Sequence, residues 1–183
     1  YDRLKPAGVI IVLHGLNGDS KQLKDEFKLF AEEHGFIVIS PSAQKEPESA
    51  PNEDTPKGDL AKSIPHWWCY RDGSSVLLAL SLAKKRWAID ENRVLIGGYS
   101  MGGFGSWNIG LRYPDRFAAA MPFAGGISRT EYFRKSDDRM RPLVRNAYNL
   151  PFYFVHGDKD FTVPVSFARR TRDQLKEYGY SFE

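Results

Sequence analysis

The stretch that decides the fold of this 183-residue chain is Val94-Leu95-Ile96-Gly97-Gly98-Tyr99-Ser100-Met101-Gly102. Its apolar start is typical of a buried strand, and the residues after Ser100 have helical spacing. A serine between glycines at a strand-to-helix turn projects from the backbone as an exposed nucleophile. Glycines favour such a turn because it is strained and leaves little room for Cβ atoms. We therefore identify Ser100 as the candidate nucleophile.

A phosphate-binding loop is the alternative use of these glycines, and the flanking residues argue against it. A P-loop needs Lys-Ser or Lys-Thr after its last glycine, whereas Gly105 is followed by Ser106-Trp107. The dinucleotide-binding fingerprint fails as well, because Asn108 stands where its third glycine belongs. The position between strand and helix therefore favours a nucleophile elbow.

Strand and helix patterns alternate along the whole chain. Helices are predicted near 20–34, 74–87, 101–113 and 164–179, and strands at 9–13, 36–39, 94–96, 118–123, 152–155 and 180–182. This alternation predicts an α/β fold, with a mostly parallel sheet covered by helices on both faces, in a single domain over residues 1–183. The segment 41–73, polar over most of its length, is predicted to form an insertion or loop over the catalytic edge.

The carboxyl ends of parallel strands form the edge at which ligands bind. The predicted strands place His14, Ser40, Ser100, Phe123 and His156 at this edge. The candidate chemistry therefore falls in one crevice.

Stabilisation of an oxyanion requires preorganised N–H donors close to the nucleophile. The Met101 N–H, at the start of the helix after Ser100, is one predicted donor. The second is the Leu16 N–H in the segment His14-Gly15-Leu16-Asn17-Gly18, where the glycines let the backbone turn inward. A plain strand-to-helix turn is the alternative for this segment. His14 is expected to brace the loop rather than act as a base.

The acid of a catalytic triad is expected after the serine in chain order. The segment 156–164 follows a predicted strand and contains two aspartates. Asp160 lies further into the loop and is the candidate orienting carboxylate. Asp158 is the alternative, and we expect it to brace the turn through backbone hydrogen bonds.

These segments together resemble the α/β-hydrolase fold, and within it the serine carboxylesterases with phospholipase/carboxylesterase, feruloyl-esterase-like and polyhydroxybutyrate-depolymerase-like members. The resemblance spans nearly the whole chain and rests on four ordered motifs, at 13–18, 89–103, 112–117 and 157–164. It implies Ser100 as nucleophile, Asp160 as triad acid, and Leu16 and Met101 as oxyanion donors. It implies a small-molecule ester substrate and neither a cofactor nor a metal.

The chain departs from this pattern in its histidines. The resemblance places the base after the acid, whereas all four histidines precede Asp160. We therefore expect a C-terminal truncation, with the triad histidine encoded beyond Glu183 and weak or no activity from residues 1–183 alone. His66 in the insertion leaves two alternatives open. It acts as a relocated base, or it is an ordinary loop residue.

Two tryptophans, Trp67 and Trp68, follow the polar insertion. A loop over the catalytic edge would let these rings line an acyl pocket, and they are the candidate substrate-binding residues. The alternative is that they pack the insertion onto the core. A metal site built from His66 and Cys69 is not expected, because further ligands are missing.

Charge and composition narrow the classes of partner. The formal charge is +3 with basic and acidic residues interspersed, and no basic stripe suggests a nucleic-acid partner. The arginines at 169, 170 and 172 are expected on the solvated face of a helix. No apolar run reaches membrane-spanning length. The single cysteine and the lack of a signal-peptide pattern leave the compartment open between the cytosol and bacterial secretion, and the oligomeric state is not assigned.

The predicted function is that of a serine hydrolase that cleaves carboxylic esters through an acyl-enzyme. A serine peptidase resembling prolyl oligopeptidases is one alternative, because its catalytic domain shares this order of motifs. A non-catalytic binding domain with a vestigial elbow is another. Turnover of short p-nitrophenyl esters, with none of prolyl peptide substrates, distinguishes an esterase from a peptidase. Reaction with a fluorophosphonate distinguishes an enzyme from a non-catalytic binding domain.

Overall fold

A computed structural model describes residues 5–21, 23, 25–43, 67, 70–127 and 141–181. Its sheet has the order β2-β1-β3-β4 and is parallel throughout, with β1 at Ala7–Leu13, β2 at Phe36–Ile39, β3 at Ile89–Tyr99 and β4 at Ala119–Phe123. The α-helices are α1 (Lys28–His34), α2 (Tyr70–Arg86), α3 (Met101–Arg112) and α4 (Ser166–Glu177). Short 3-10 helices lie at Pro114–Arg116 and Arg141–Asn149. The second of these was not predicted.

The two faces of β1 bury different sets of apolar side chains. Val9 and Ile11 belong to a cluster that α2 and α3 complete, through residues that include Val76 and Ile109. On the opposite face, a second cluster is formed by Ile10, Val12 and Leu23, with partly buried Phe27, Phe36 and Val38 packed against it. Because both faces of β1 are covered, every residue of this strand is buried, and the predicted strand at 9–13 is confirmed.

The first helix is shorter than predicted. It begins at Lys28 rather than near Ser20, and the described residues between them lie in turns. The Asp19 carboxylate accepts the Lys21 N–H at 2.7 Å, as a helix cap would, but no helix continues from it. The helix ends as predicted at Gly35, whose φ of 67° is left-handed.

Two further elements have wider bounds than the sequence predicted. β3 is eleven residues long and includes the glycines before the elbow, so Gly97 and Gly98 pair with β4. α2 begins at Tyr70, so the last residues of the predicted 41–73 insertion are helical. Residues 44–66 of that insertion lie outside the described residues.

The predicted strand at 152–155 meets β4 in two isolated bridges rather than a continuous ladder. The Ala120 N–H donates to the Pro151 carbonyl just before this segment, and the Ala124 N–H donates to the Val155 carbonyl at its end. Pro122, midway between them, has no N–H to continue the pattern. The predicted strand at 180–182 is wrong for residues 180 and 181, and Phe182 lies outside the described residues.

The exposed surface of α4 carries the arginines at positions 169, 170 and 172, as predicted. Among the described residues, no helix has the length and apolar character needed to cross a membrane.

Candidate active site

Ser100 occupies a strained turn between β3 and α3. Its φ of 55° and ψ of −120° are values that favour glycine. The backbone is held by hydrogen bonds, because the Ser100 N–H donates to the Phe123 carbonyl at 3.0 Å and the Ser100 carbonyl accepts from the Phe104 N–H at 3.1 Å. The side chain makes no capping hydrogen bond at the start of α3. The hydroxyl is therefore not committed to the capping role that serine usually has at this position.

Glycines allow α3 to approach the sheet at backbone distance. A Cβ atom on Gly98 would lie 2.4 Å from the Leu13 carbonyl oxygen, and one on Gly102 would lie 2.0 Å from the same oxygen. A Cβ atom on Gly103 would lie 2.2 Å from the Phe123 carbonyl oxygen. These distances are too short for any side chain, so the glycines around the elbow hold the helix against the ends of β1 and β4.

The loop after β1 is organised by the buried side chain of His14. Its Nδ1 lies 2.7 Å from the Gly15 carbonyl oxygen, and its Nε2 accepts the Ala43 N–H at 3.0 Å. The Gly15 carbonyl also accepts the Gly18 N–H at 3.1 Å. These bonds confirm the prediction that His14 braces this loop.

The two candidate oxyanion donors belong to segments that the structure brings side by side. Leu16 lies in the loop after β1, next to Asn17, whose φ of 59° is left-handed. Met101 is the first residue of α3, where backbone N–H groups lack acceptors within the helix and the helix dipole favours negative charge. The segments touch at Gly102, where a Cβ atom would lie 3.0 Å from the His14 carbonyl oxygen.

Asp160 holds its own loop through one carboxylate oxygen. Oδ1 accepts the N–H groups of Thr162 at 2.9 Å and Val163 at 2.8 Å. Oδ2 lies 3.7 Å from His156 Nε2, and the carboxylate side chain is 23% exposed. The turn-bracing bonds expected of Asp158 are thus made by Asp160, while Asp158 is exposed. The loop bonds at Oδ1 leave Oδ2 as the oxygen that can orient another group.

A small apolar cluster joins this acid loop to the elbow helix. Val163 packs with Phe104 of α3 and Phe167 of α4, and all three side chains are buried. The two rings meet edge-on with centroids 5.4 Å apart. Because the Val163 N–H donates to Asp160, the cluster positions that carboxylate relative to the helix that begins after Ser100. This cluster was not predicted, because Phe104 lies 59 residues before Val163 in the chain.

The three histidines within the described residues have partners other than Ser100. His14 Nδ1 contacts the Gly15 carbonyl in its own loop, and Nε2 accepts the Ala43 N–H from the segment after β2. The His156 ring is 3% exposed, and its Nε2–H donates to the Val163 carbonyl at 2.7 Å. His34 closes α1 just before β2, at the amino edge of the sheet. His66 lies outside the described residues.

Trp67 lies in the core beneath the oxyanion segment. Its side chain is fully buried at 0% exposure, and its Nε1–H donates to the His14 carbonyl at 2.9 Å. A Cβ atom on Gly105 would lie 2.4 Å from the Trp67 Cβ, so the absence of a side chain in α3 makes room for the indole. This placement favours the packing interpretation of Trp67 over a substrate wall. Trp68 lies outside the described residues.

The arrangement suits nucleophilic attack on a carbonyl group. A strained serine and the turns with candidate N–H donors lie at the carboxyl ends of β1 and β3, and a loop-bound carboxylate follows the segment 152–155, which bridges to β4. In the part of the chain that the structure describes, no group of three or more His, Cys, Asp or Glu side chains could hold a metal ion.

Fold and site together define the class of α/β-hydrolase-fold esterases. The model of the phospholipase/carboxylesterase family matches residues 74–182, which is more than half of the chain. The chain therefore belongs to the phospholipase/carboxylesterase family, and the resemblance seen in its motifs is confirmed.

Two curated relatives are named for a thioesterase and a depolymerase activity. The chain is 33% identical to acyl-protein thioesterase 1 of Neurospora crassa over 95 residues, which is 51% of this chain and 36% of that protein. It is 26% identical to poly(3-hydroxyalkanoate) depolymerase C of Paucimonas lemoignei over 193 residues, covering 94% of this chain and 45% of that protein. The chain thus spans less than half the length of these curated relatives.

A solved structure supports the fold. Fluorophosphonate-binding serine hydrolase F of Staphylococcus aureus matches with a TM-score of 0.73 and 19% identity, covering 98% of this chain and 74% of that chain. At this identity the likeness concerns the fold alone.

Proposed function

We propose that this protein hydrolyses small-molecule carboxylic esters through an acyl-enzyme formed on Ser100. The observation that carries the proposal is the turn at Ser100, where a non-glycine residue has a φ of 55° at the start of α3. Strain of this kind is retained at functional sites, where the surrounding packing overcomes it. Here the packing is supplied by backbone atoms of β1 and β4 against glycines of the elbow.

The proposed reaction begins with attack of Ser100 Oγ on the ester carbonyl carbon. The proton of the hydroxyl passes to a histidine outside the described residues and then to the leaving alcohol. Water deprotonated by the same base then attacks the acyl-enzyme, which releases the acid and restores Ser100. The proposed role of Asp160 is to accept the other ring N–H of that histidine at Oδ2, because Oδ1 is occupied by two backbone N–H groups.

The oxyanion of each tetrahedral intermediate is proposed to bind the N–H groups of Leu16 and Met101. A donor of this type contributes roughly 10²–10³ in rate, since it is directed at charge that develops only as the reaction proceeds. The position of Met101 at the start of α3 supports its role, because the helix dipole adds to the hydrogen bond.

Fluorophosphonate labelling tests the assignment of Ser100. The chain as its gene encodes it should form one covalent adduct, which mass spectrometry locates at Ser100, and Ser100→Ala should form none. Ser106→Ala is the matched control, because Ser106 lies in the same glycine-rich helix with its hydroxyl donating to the Gly102 carbonyl at 2.8 Å. An unlabelled wild type, or labelling that survives Ser100→Ala, overturns the proposal.

Substrate assays distinguish an esterase from a serine peptidase. We expect turnover of short p-nitrophenyl esters and none of prolyl peptide substrates. The reverse pattern would assign the site to a peptidase.

A further inference from the structure

We infer that His14 is a positioning residue that orients the Leu16 N–H toward the reacting carbonyl, and that Trp67 holds His14 in place. The inference deepens the proposed function and rests on it. It concerns a buried histidine and a buried tryptophan that take no direct part in the proposed reaction.

The contacts of the His14 ring select one tautomer. Nδ1 faces the Gly15 carbonyl oxygen at 2.7 Å, so it must carry the proton. Nε2 faces the Ala43 N–H at 3.0 Å, so it must present its lone pair. Only the neutral Nδ1–H form satisfies both neighbours. With partners on both sides, the ring has one orientation in the loop.

The bond from His14 sets the direction of the next peptide group. The Gly15 carbonyl accepts both the His14 Nδ1–H and the Gly18 N–H, which directs the oxygen into the loop. The described residues contain no cis peptide bond, and in a trans peptide the carbonyl and the following N–H point in opposite directions. The Leu16 N–H therefore points out of the loop. Reversing this peptide would break both bonds to the Gly15 oxygen.

Trp67 fixes His14 from the core side. The indole Nε1–H donates to the His14 carbonyl at 2.9 Å, and the two rings meet edge-on with centroids 5.1 Å apart. The indole itself is held by its close approach to Gly105 of α3. The oxyanion segment is thus tied to the elbow helix through one side chain. Ala43 and Trp67, which both bond to His14, are the described residues on either side of 44–66.

Two polar replacements of His14 separate orientation from simple stability. Asn places its amide N–H near the position of Nδ1 and can still donate to the Gly15 carbonyl, whereas the longer Gln side chain places its polar atoms near Nε2. We expect His14→Gln to lower kcat by roughly tenfold to a hundredfold with little change in KM, since a misdirected donor loses part of the 10²–10³ that an oxyanion donor contributes. His14→Asn should retain most of the activity. Affinity for a boronic acid that forms a tetrahedral adduct should fall in parallel with kcat.

Trp67→Phe tests the second contact without opening a large cavity. It keeps an aromatic ring in the core and removes the donor to His14. We expect kcat to fall about tenfold, because a misplaced oxyanion donor loses part of its contribution to the rate. Trp107→Phe is the control, because Trp107 is an equally buried tryptophan that stacks on Phe152 instead. It should lower thermal stability without a selective loss of kcat.

Several outcomes overturn the inference. If the wild type is labelled at Ser100 and His14→Gln, folded by circular dichroism, keeps the wild-type kcat and boronate affinity, His14 does not orient the donor. If His14→Asn and His14→Gln lose kcat equally, or Trp107→Phe matches Trp67→Phe, the effect is on stability alone. An unlabelled wild type removes the proposed function and, with it, this inference.

Discussion

The turn at Ser100 and the loop at Asp160 lie at the same edge of the sheet, but different interactions hold them. The elbow depends on backbone packed against backbone, at glycines where a Cβ atom would come within 2.0 to 2.4 Å of a carbonyl oxygen. The acid loop depends on a side chain, since Asp160 Oδ1 accepts two N–H groups of its own loop. Substitutions at the elbow should therefore be harmful because they add atoms. Substitutions in the acid loop should be harmful because they remove hydrogen-bond acceptors.

A glycine in each region makes the contrast explicit. At Gly102 of the elbow helix a Cβ atom would lie 2.0 Å from the Leu13 carbonyl oxygen. At Gly157 of the acid loop a Cβ atom would meet nothing within 4 Å, and the backbone there has no positive φ. The elbow thus has no room for change, while the loop has space but a specific set of hydrogen bonds.

The largest expected effect comes from Asp160→Asn. The amide keeps a carbonyl oxygen to accept the loop N–H groups but no longer stabilises a protonated histidine, so kcat should fall by about 10⁴ with stability nearly preserved. Steady-state kinetics on an ester and urea denaturation measure the two quantities. Asp158→Asn is the control and should leave kcat unchanged. Equal losses of kcat in the two variants would sink the assignment of Asp160.

The next effect concerns stability. Gly102→Ala should lower the free energy of unfolding by about 3 kcal/mol or more, because the new methyl group overlaps a backbone carbonyl that cannot move without shifting β1. Gly157→Ala should change it by less than about 0.5 kcal/mol. Denaturation midpoints of both variants against the wild type make the measurement. A similar cost at both positions would mean that the elbow packs no more tightly than the loop.

The smallest effect tests strain at the nucleophile. Ser100→Gly should be more stable than Ser100→Ala by about 1 kcal/mol, since glycine adopts a φ of 55° without the steric cost that alanine keeps. Both variants lack the hydroxyl, so the comparison isolates the backbone. If Ser100→Gly is less stable than Ser100→Ala by the roughly 0.5–1 kcal/mol that the chain entropy of glycine costs, the turn stores no strain.

Some features of the fold were predictable because their signals are local. The buried run at β1 and the apolar start of β3 are continuous in sequence, and the glycines around Ser100 stand at fixed offsets from it. The end of α1 follows from one residue, Gly35, because glycine readily adopts the left-handed backbone that ends a helix. The late start of α1, by contrast, has no local signal, because Asp19 accepts the Lys21 N–H as a helix cap would and yet the helix begins only at Lys28.

Other features depend on register between distant segments. The break in pairing at 152–155 follows from Pro122 lying opposite that segment, which only the sheet alignment reveals. The cluster that positions the acid loop combines residues of α3, the loop and α4. Likewise, whether Trp67 lines a substrate pocket or packs in the core depends on its contact with Gly105.

The sequence by itself determined the parallel α/β architecture and the elbow with its serine, because short-range spacing of apolar residues and glycines encodes both. Only the tertiary structure decided how His14 is used. Its partners Ala43 and Trp67 lie 29 and 53 residues away, and hydrogen bonds across such separations exist only after the chain has folded. The tautomer of His14, and with it the direction of the Leu16 N–H, therefore follows from packing and not from local pattern.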